Sequence, residues 1–182
     1  MYGITKKIVA TRINRKMKME YKNIFNFNIS LTWKSVLLLL LLSILPNWLG
    51  MYHYTTTFGL RIHFFQYLIF VAAIIYGPIG GLISGAFGSI WTAISLNNPY
   101  IVFGNMILGF FAGLFLRYGL NIILSVLIAY LIQLPWLWFT DIYLANMPIR
   151  IVKMVVVALL FSDILCGFIA WITAKPIREI IK

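Results

Sequence analysis

From residue 33 onward the chain is a train of apolar stretches, interrupted only where Pro, Gly and Asn gather. The interruptions are Pro46-Asn47, Gly77-Pro78, Asn97-Asn98-Pro99, Arg117-Tyr118-Gly119 and Asn146-Met147-Pro148, residue types that end helices and open turns. A hydrocarbon core about 30 Å thick takes around 20 residues of helix at about 1.5 Å per residue. Six segments fit, at residues 33–49, 62–76, 78–96, 100–116, 120–139 and 149–174, the second short and the last long. The expected fold class is therefore all-α, a polytopic integral membrane bundle of six transmembrane helices. Composition agrees: 62% of residues are hydrophobic and 10% charged, whereas soluble domains carry about 25% charged residues. With lipid as the solvent for most of the chain, soluble enzymes and nucleic-acid-binding modules are excluded as classes.

Positive charge marks the cytoplasmic side of a membrane protein. Lys6, Lys7, Arg12, Arg15, Lys16, Lys18, Lys22 and Lys34 precede or border the first segment, Arg117 lies between the fourth and fifth, and Lys175, Arg178 and Lys182 follow the sixth. The opposite side has only Arg61, Arg150 and Lys153. Both termini are thus expected in the cytoplasm of a multi-pass cell-membrane protein, with a basic tail at 1–32, the helical domain at 33–174 and a short basic tail at 175–182. Anionic headgroups account for the tail charges without nucleic acid as a partner. Met17 and Met19 are alternative starts to Met1, and the run from Val36 to Leu45 reads as a retained anchor, because Pro46 and Trp48 follow it rather than a small-residue cleavage pattern.

Depth then becomes readable, and the polar side chains gather toward the outer side. Arg61, His63 and Gln66 lead into the second segment; Trp91, Thr92, Asn97 and Asn98 close the third; Tyr100 and Asn105 begin the fourth; Gln133, Trp136, Trp138 and Asp141 close the fifth. The inner halves are almost devoid of side-chain donors and acceptors. Polar groups in hydrocarbon belong in the bundle interior or a water-filled cavity, so a pocket opening outward and closed below is expected. Its candidate substrate-binding residues are Arg61, His63, Trp91, Asn97, Asn98, Asn105, Gln133, Trp136 and Asp141. The aromatics suit a flat ring and the amides and carboxyl supply hydrogen bonds, which fits a neutral or weakly cationic heterocycle. Two plainer readings compete: an interfacial aromatic belt for the Trp and Tyr residues, and helix-bridging amides for Asn105 and Gln133. Asp163, midway along the sixth segment, is costly there unless partnered; Gln133, Asn121 or Ser162 would serve, or the residue has a substrate or coupling role. The 47–61 connection is the longest external one and a candidate lid over the pocket, placing Arg61 or His63 at its rim.

Small residues form a separate pattern. Gly77, Gly81, Gly85 and Ser89 are spaced by four, with Gly80, Ser84 and Gly88 in the adjacent row. Gly109 and Gly113 repeat the device, as do Ser162, Cys166, Ala170 and Ala174. Such faces allow close helix approach, either within the molecule or against another membrane subunit. Catalytic signatures are missing: four acidic residues and two histidines in total leave no H-E-x-x-H, no G-x-S-x-G, no metal-holding Asp pair and no phosphate-binding loop. The expectation is a non-enzyme without metal or cofactor, whose energy for any uphill transport comes from another polypeptide or an ion.

The run Ile69-Phe-Val-Ala-Ala-Ile-Ile-Tyr-Gly-Pro-Ile-Gly-Gly-Leu-Ile-Ser-Gly-Ala-Phe-Gly-Ser89, followed by Pro99 and Gly104-Asn105-Met-Ile-Leu-Gly109-Phe-Phe-Ala-Gly113, resembles the membrane-embedded substrate-binding subunits, or S components, of energy-coupling factor (ECF) vitamin transporters. The resemblance covers about residues 33–174. It implies six helices, a vitamin-sized ligand held near the extracellular side, and docking onto a transmembrane coupling subunit driven by two ATPases. One departure stands out: the family often carries small residues spaced by four on its first helix as the coupling surface, and here that stretch is mostly Leu, with Ser35 and Ser43 too far apart. Another helix, or an unusual coupling partner, would then serve. From a different class, the alternative is a stand-alone secondary transporter or channel-like protein using Asp163 as an ion or proton site.

Overall fold

The computed structural model describes residues 32–55 and 61–179. The basic tail and both alternative start methionines lie outside them, as do Thr56, Thr57 and Gly59 of the candidate lid. In chain order the elements are α1 (Trp33–Gly50), β1 (His53–Thr55), β2 (Arg61–His63), α2 (Gln66–Tyr76), α3 (Pro78–Gly88), α4 (Ile90–Ser95), α5 (Tyr100–Arg117), α6 (Ile122–Phe139) and α7 (Ile149–Glu179). A π-helical turn, Thr140–Leu144, continues α6. Apart from one short antiparallel hairpin, β1 with β2, the described chain is α-helical.

Local chemistry sets the helix ends. Thr32 caps α1 by accepting from the Ser35 N–H at 3.3 Å, and Asn121 caps α6 by accepting from the Leu124 N–H at 2.9 Å, each replacing a bond the first turn cannot make. Between α2 and α3 the chain reverses on Gly77, whose φ of 78° is strained for any residue with a Cβ. Pro78 then starts α3 where its missing N–H costs nothing. Asn97 and Asn146, at φ 49° and 53°, make the other turns.

Four helical stretches are long and apolar enough to cross a membrane: Trp33–Gly50, Tyr100–Arg117, Ile122–Leu144 and Ile149–Glu179. The chain is a multi-pass membrane protein. The second expected segment, 62–76, needs correction: its first residues form β2 and a turn, so the helix begins at Gln66 and its 11 residues span only about 16 Å. Apolar nearly all round, α2 is buried nearly all round, as such a helix must be. Ile69, Phe70, Val71, Ala72, Ala73 and Ile75 are each fully shielded; α2 is the axis of the bundle, wrapped by α1, α3, α5 and α7. The third expected segment, 78–96, is two helices broken at Ser89, and the sixth runs beyond Ala174 to Glu179.

The small-residue stripe is spent inside the molecule. A Cβ on Gly81 would strike the Gly109 carbonyl, one on Gly109 the Gly81 carbonyl, one on Gly85 the Asn105 carbonyl, and one on Gly113 the backbone of Gly77 and Pro78. The adjacent row faces α1 instead: Ser84 Oγ donates to the Leu42 carbonyl at 2.6 Å, and Gly88 lies against Pro46. So α3 is pressed between α1 and α5 at backbone distance. The end of the bundle holding Gly77 is tied by Tyr76, whose hydroxyl donates to the Ser35 carbonyl at 2.7 Å, and by Arg117, which donates to the Tyr76 carbonyl at 3.3 Å. The opposite end, carrying the hairpin, is built differently.

Candidate functional site

At the hairpin end the helices part around a largely enclosed cavity of about 90 Å³. Every layer contributes: His63, Phe65 and Gln66 from the hairpin exit and start of α2, Thr92 and Leu96 from α4 and its end, Tyr100, Gly104 and Asn105 from α5, Gln133 and Trp136 from α6, Asp141 from the π turn, and Asp163 from α7. Up-and-down threading explains this convergence, because the N-terminal halves of α2, α5 and α7 and the C-terminal ends of α4 and α6 all meet at this level.

Six of the nine residues expected to bind substrate line this one cavity: His63, Asn98, Asn105, Gln133, Trp136 and Asp141. Trp91 does not; the residue is 40% exposed on α4 and its backbone N–H donates to Asn47 Oδ1. Asn97 forms the exposed turn after α4. Arg61 belongs to β2 and pairs through its backbone with Thr55. Gln66, Thr92 and Asp163 add further polar side chains to the wall. Gln66 and Thr92, grouped with the outer-side polar residues in the sequence but not among the nine, line the same cavity.

The walls divide into satisfied and unsatisfied groups. Asn98 Nδ2 donates to Asp141 Oδ1 at 2.7 Å, while Asn98 Oδ1 accepts from the Tyr100 N–H at 3.1 Å. That pair ties the α4–α5 turn to the π turn, in which Asp141 is buried. Trp136 Nε1 donates to the Tyr100 carbonyl at 3.1 Å, so its N–H is spent and its ring remains as wall. Asn105 Nδ2 donates to the Ile101 carbonyl within α5 at 3.0 Å. By contrast both Asp163 carboxyl oxygens, Gln66 Oε1, Gln133 Oε1 and Thr92 Oγ1 are buried without a protein hydrogen-bond partner. None of the partners expected for Asp163 reaches it: Asn121 caps α6, Ser162 Oγ donates to the Ala158 carbonyl and accepts from the His63 N–H, and Gln133 makes no bond to it. Native proteins leave few buried polar groups unpaired, and here the residues that carry these oxygens line one cavity. Among the described residues no cluster of His, Cys, Asp and Glu is suited to a metal ion.

The hairpin is fastened to α7 beside Asp163. The His63 N–H donates to Ser162 Oγ at 3.1 Å and the His63 carbonyl accepts from Cys166 Sγ at 3.5 Å. The small side chains of α7 thus receive a β-strand backbone.

No protein-family model matches the chain, and no curated protein matches it in sequence. Its architecture does have a counterpart: the S component of a bacterial ECF transporter matches 82% of this chain and 98% of its own, with a TM-score of 0.60 at 15% sequence identity. The chain has the ECF S-component fold. At that identity the S-component likeness speaks for backbone architecture, and the chemistry of the cavity rests on the residues named above.

Proposed function

We propose that the chain is the substrate-capture subunit of an ECF-type importer in the cell membrane. It crosses the bilayer as six helical segments with both termini in the cytoplasm, takes up a small vitamin-like molecule from outside, and delivers it through a transmembrane coupling subunit powered by two separate ATPases. The observation that carries this reading is a largely enclosed cavity at one end of an S-component fold, mainly apolar in its walls and lined by residues whose buried oxygens the protein leaves unpaired. The cations support the orientation, since Arg117, Lys175 and Arg178 belong to the end away from the cavity. The chain offers no nucleotide-binding loop and no set of catalytic groups, which fits capture without chemistry and energy supplied elsewhere. A volume of about 90 Å³ is below the ~300 Å³ at which small-molecule pockets usually begin, so entry requires the walls to yield. Asn47–Gly50, expected in the connection, belong to α1, and the hairpin of β1 and β2 is the proposed lid.

Asp163 also supports the second reading, a self-sufficient transporter with the buried carboxyl as its ion or proton site. Uptake separates the two. In cells expressing the chain without coupling subunit and ATPases, concentrative uptake of the ligand is expected to vanish; full accumulation by this chain alone would discard the importer-subunit reading in favour of the second.

A further inference from the structure

The charge balance of the cavity runs against that of the chain. Formal net charge is +11, with 15 Lys and Arg against 4 Asp and Glu, yet Asp141 and Asp163 both line the cavity and, among the described side chains, no Lys or Arg does, leaving the His63 imidazole as the ionisable nitrogen there. Asp141 is engaged by the Asn98 amide. Asp163 is 1% exposed and neither of its oxygens has a protein partner. A lone carboxyl removed from water is costly as an anion unless an opposite charge with hydrogen-bond donors meets it. Gln66 Oε1 and Gln133 Oε1, on residues that line the same cavity, are unengaged as well, which adds acceptors. An anionic guest would be disfavoured, and a neutral one would meet Asp163 as a protonated acid, whereas a cation would let the carboxyl be held ionised with its charge compensated. A bare metal ion would demand about six close oxygens, whereas Phe65, Leu108, Leu159 and the rings of Tyr100 and Trp136 make up much of this wall. Aromatic faces and a carboxylate together suit an organic cation.

Building on the capture reading, we infer that the ligand is an organic cation, a ring system bearing a protonated or fixed positive nitrogen, and that Asp163 is its counter-charge.

The test uses matched probes on the full chain purified in detergent: benzamidine against benzamide, and tryptamine against 3-(2-hydroxyethyl)indole, each pair differing in the charged group. At millimolar concentration the cation of each pair should stabilise the chain against heat, with the neutral member bound about tenfold or more weakly. Asp163→Asn, which keeps size and shape, should bring the two members of each pair to similar affinity by weakening the cation alone. Equal or better binding of the neutral members, no binding by either cation, or a preference that persists in Asp163→Asn would overturn the assignment. Wild-type preference needs no variant, so misfolding of Asp163→Asn leaves the test intact. Mass spectrometry of what the denatured chain releases separates this inference from the capture reading: a cationic heterocycle supports both, a neutral or anionic heterocycle overturns only the charge assignment, and acyl lipid alone overturns both.

Discussion

At the scale of single residues, the cavity and the packing respond to different substitutions. Asp163→Asn is expected to raise the heat stability of the ligand-free chain by about 1–2 kcal/mol, because it replaces a costly buried acid by a neutral group; a fall in melting temperature would show that Asp163 is held by its surroundings after all. Gly81→Ala and Gly109→Ala should each destabilise by about 1–3 kcal/mol, since the new methyl meets a backbone carbonyl that cannot turn aside. Gly104→Val is the contrasting case. A Cβ there comes within 3.2 Å of Gln133 Nε2 and 3.6 Å of Trp136 Cδ1, both side-chain atoms of the cavity wall, so ligand affinity should drop while thermal stability without ligand changes little. Six residues singled out in the sequence line the cavity, because a polar residue in an apolar segment has few places to go; the apolar part of the wall carries no such mark. The sequence could not show that Asp163 lacks a protein hydrogen-bond partner, which depends on where Gln133, Asn121 and Ser162 point once α6 and α7 are packed.

At the scale of elements, the break between α3 and α4 depends on α1. Ending α3 near Ser89 frees backbone groups, and the Asn47 side chain meets two of them: Nδ2 donates to the Phe87 carbonyl at 2.8 Å and Oδ1 accepts from the Trp91 N–H at 2.8 Å. Asn47→Leu removes both bonds, at about 0.5–1.5 kcal/mol each, and loosens α4, which carries Thr92. The expected result is weaker ligand retention in a binding assay from a residue that does not line the cavity; unchanged dissociation would mean α4 is placed by other contacts. Nothing near Ser89 in the sequence announces this break, because the group that makes it tolerable lies on another helix. The central helix α2 was similarly hard to read. Its apolar run looks like a lipid-facing span, and only the hairpin, which claims residues 61–63, shows how short the helix is.

For the whole molecule, the orientation proposed from the cations has a direct check. Tyr52, 72% exposed beyond α1, and Tyr118, 55% exposed beyond α5, mark opposite ends of the bundle, and Cys166, buried against the hairpin, can be replaced by Ala to leave a cysteine-free background. Tyr52→Cys should react with a membrane-impermeant maleimide in intact cells, and Tyr118→Cys only after permeabilisation; the reverse pattern would invert the topology. The glycine seam between α3 and α5 also bears on descent. Where two backbones already touch, a methyl gained on one strand of the seam can be accommodated only if the other gives ground, so Gly81 and Gly109 are not free to drift separately. Among the chain's relatives, positions 81 and 109 should change together or not at all, and a lineage that enlarges one should show a displaced α5 and with it a reshaped binding cavity. New ligand preferences could then arise far from any residue that touches the ligand.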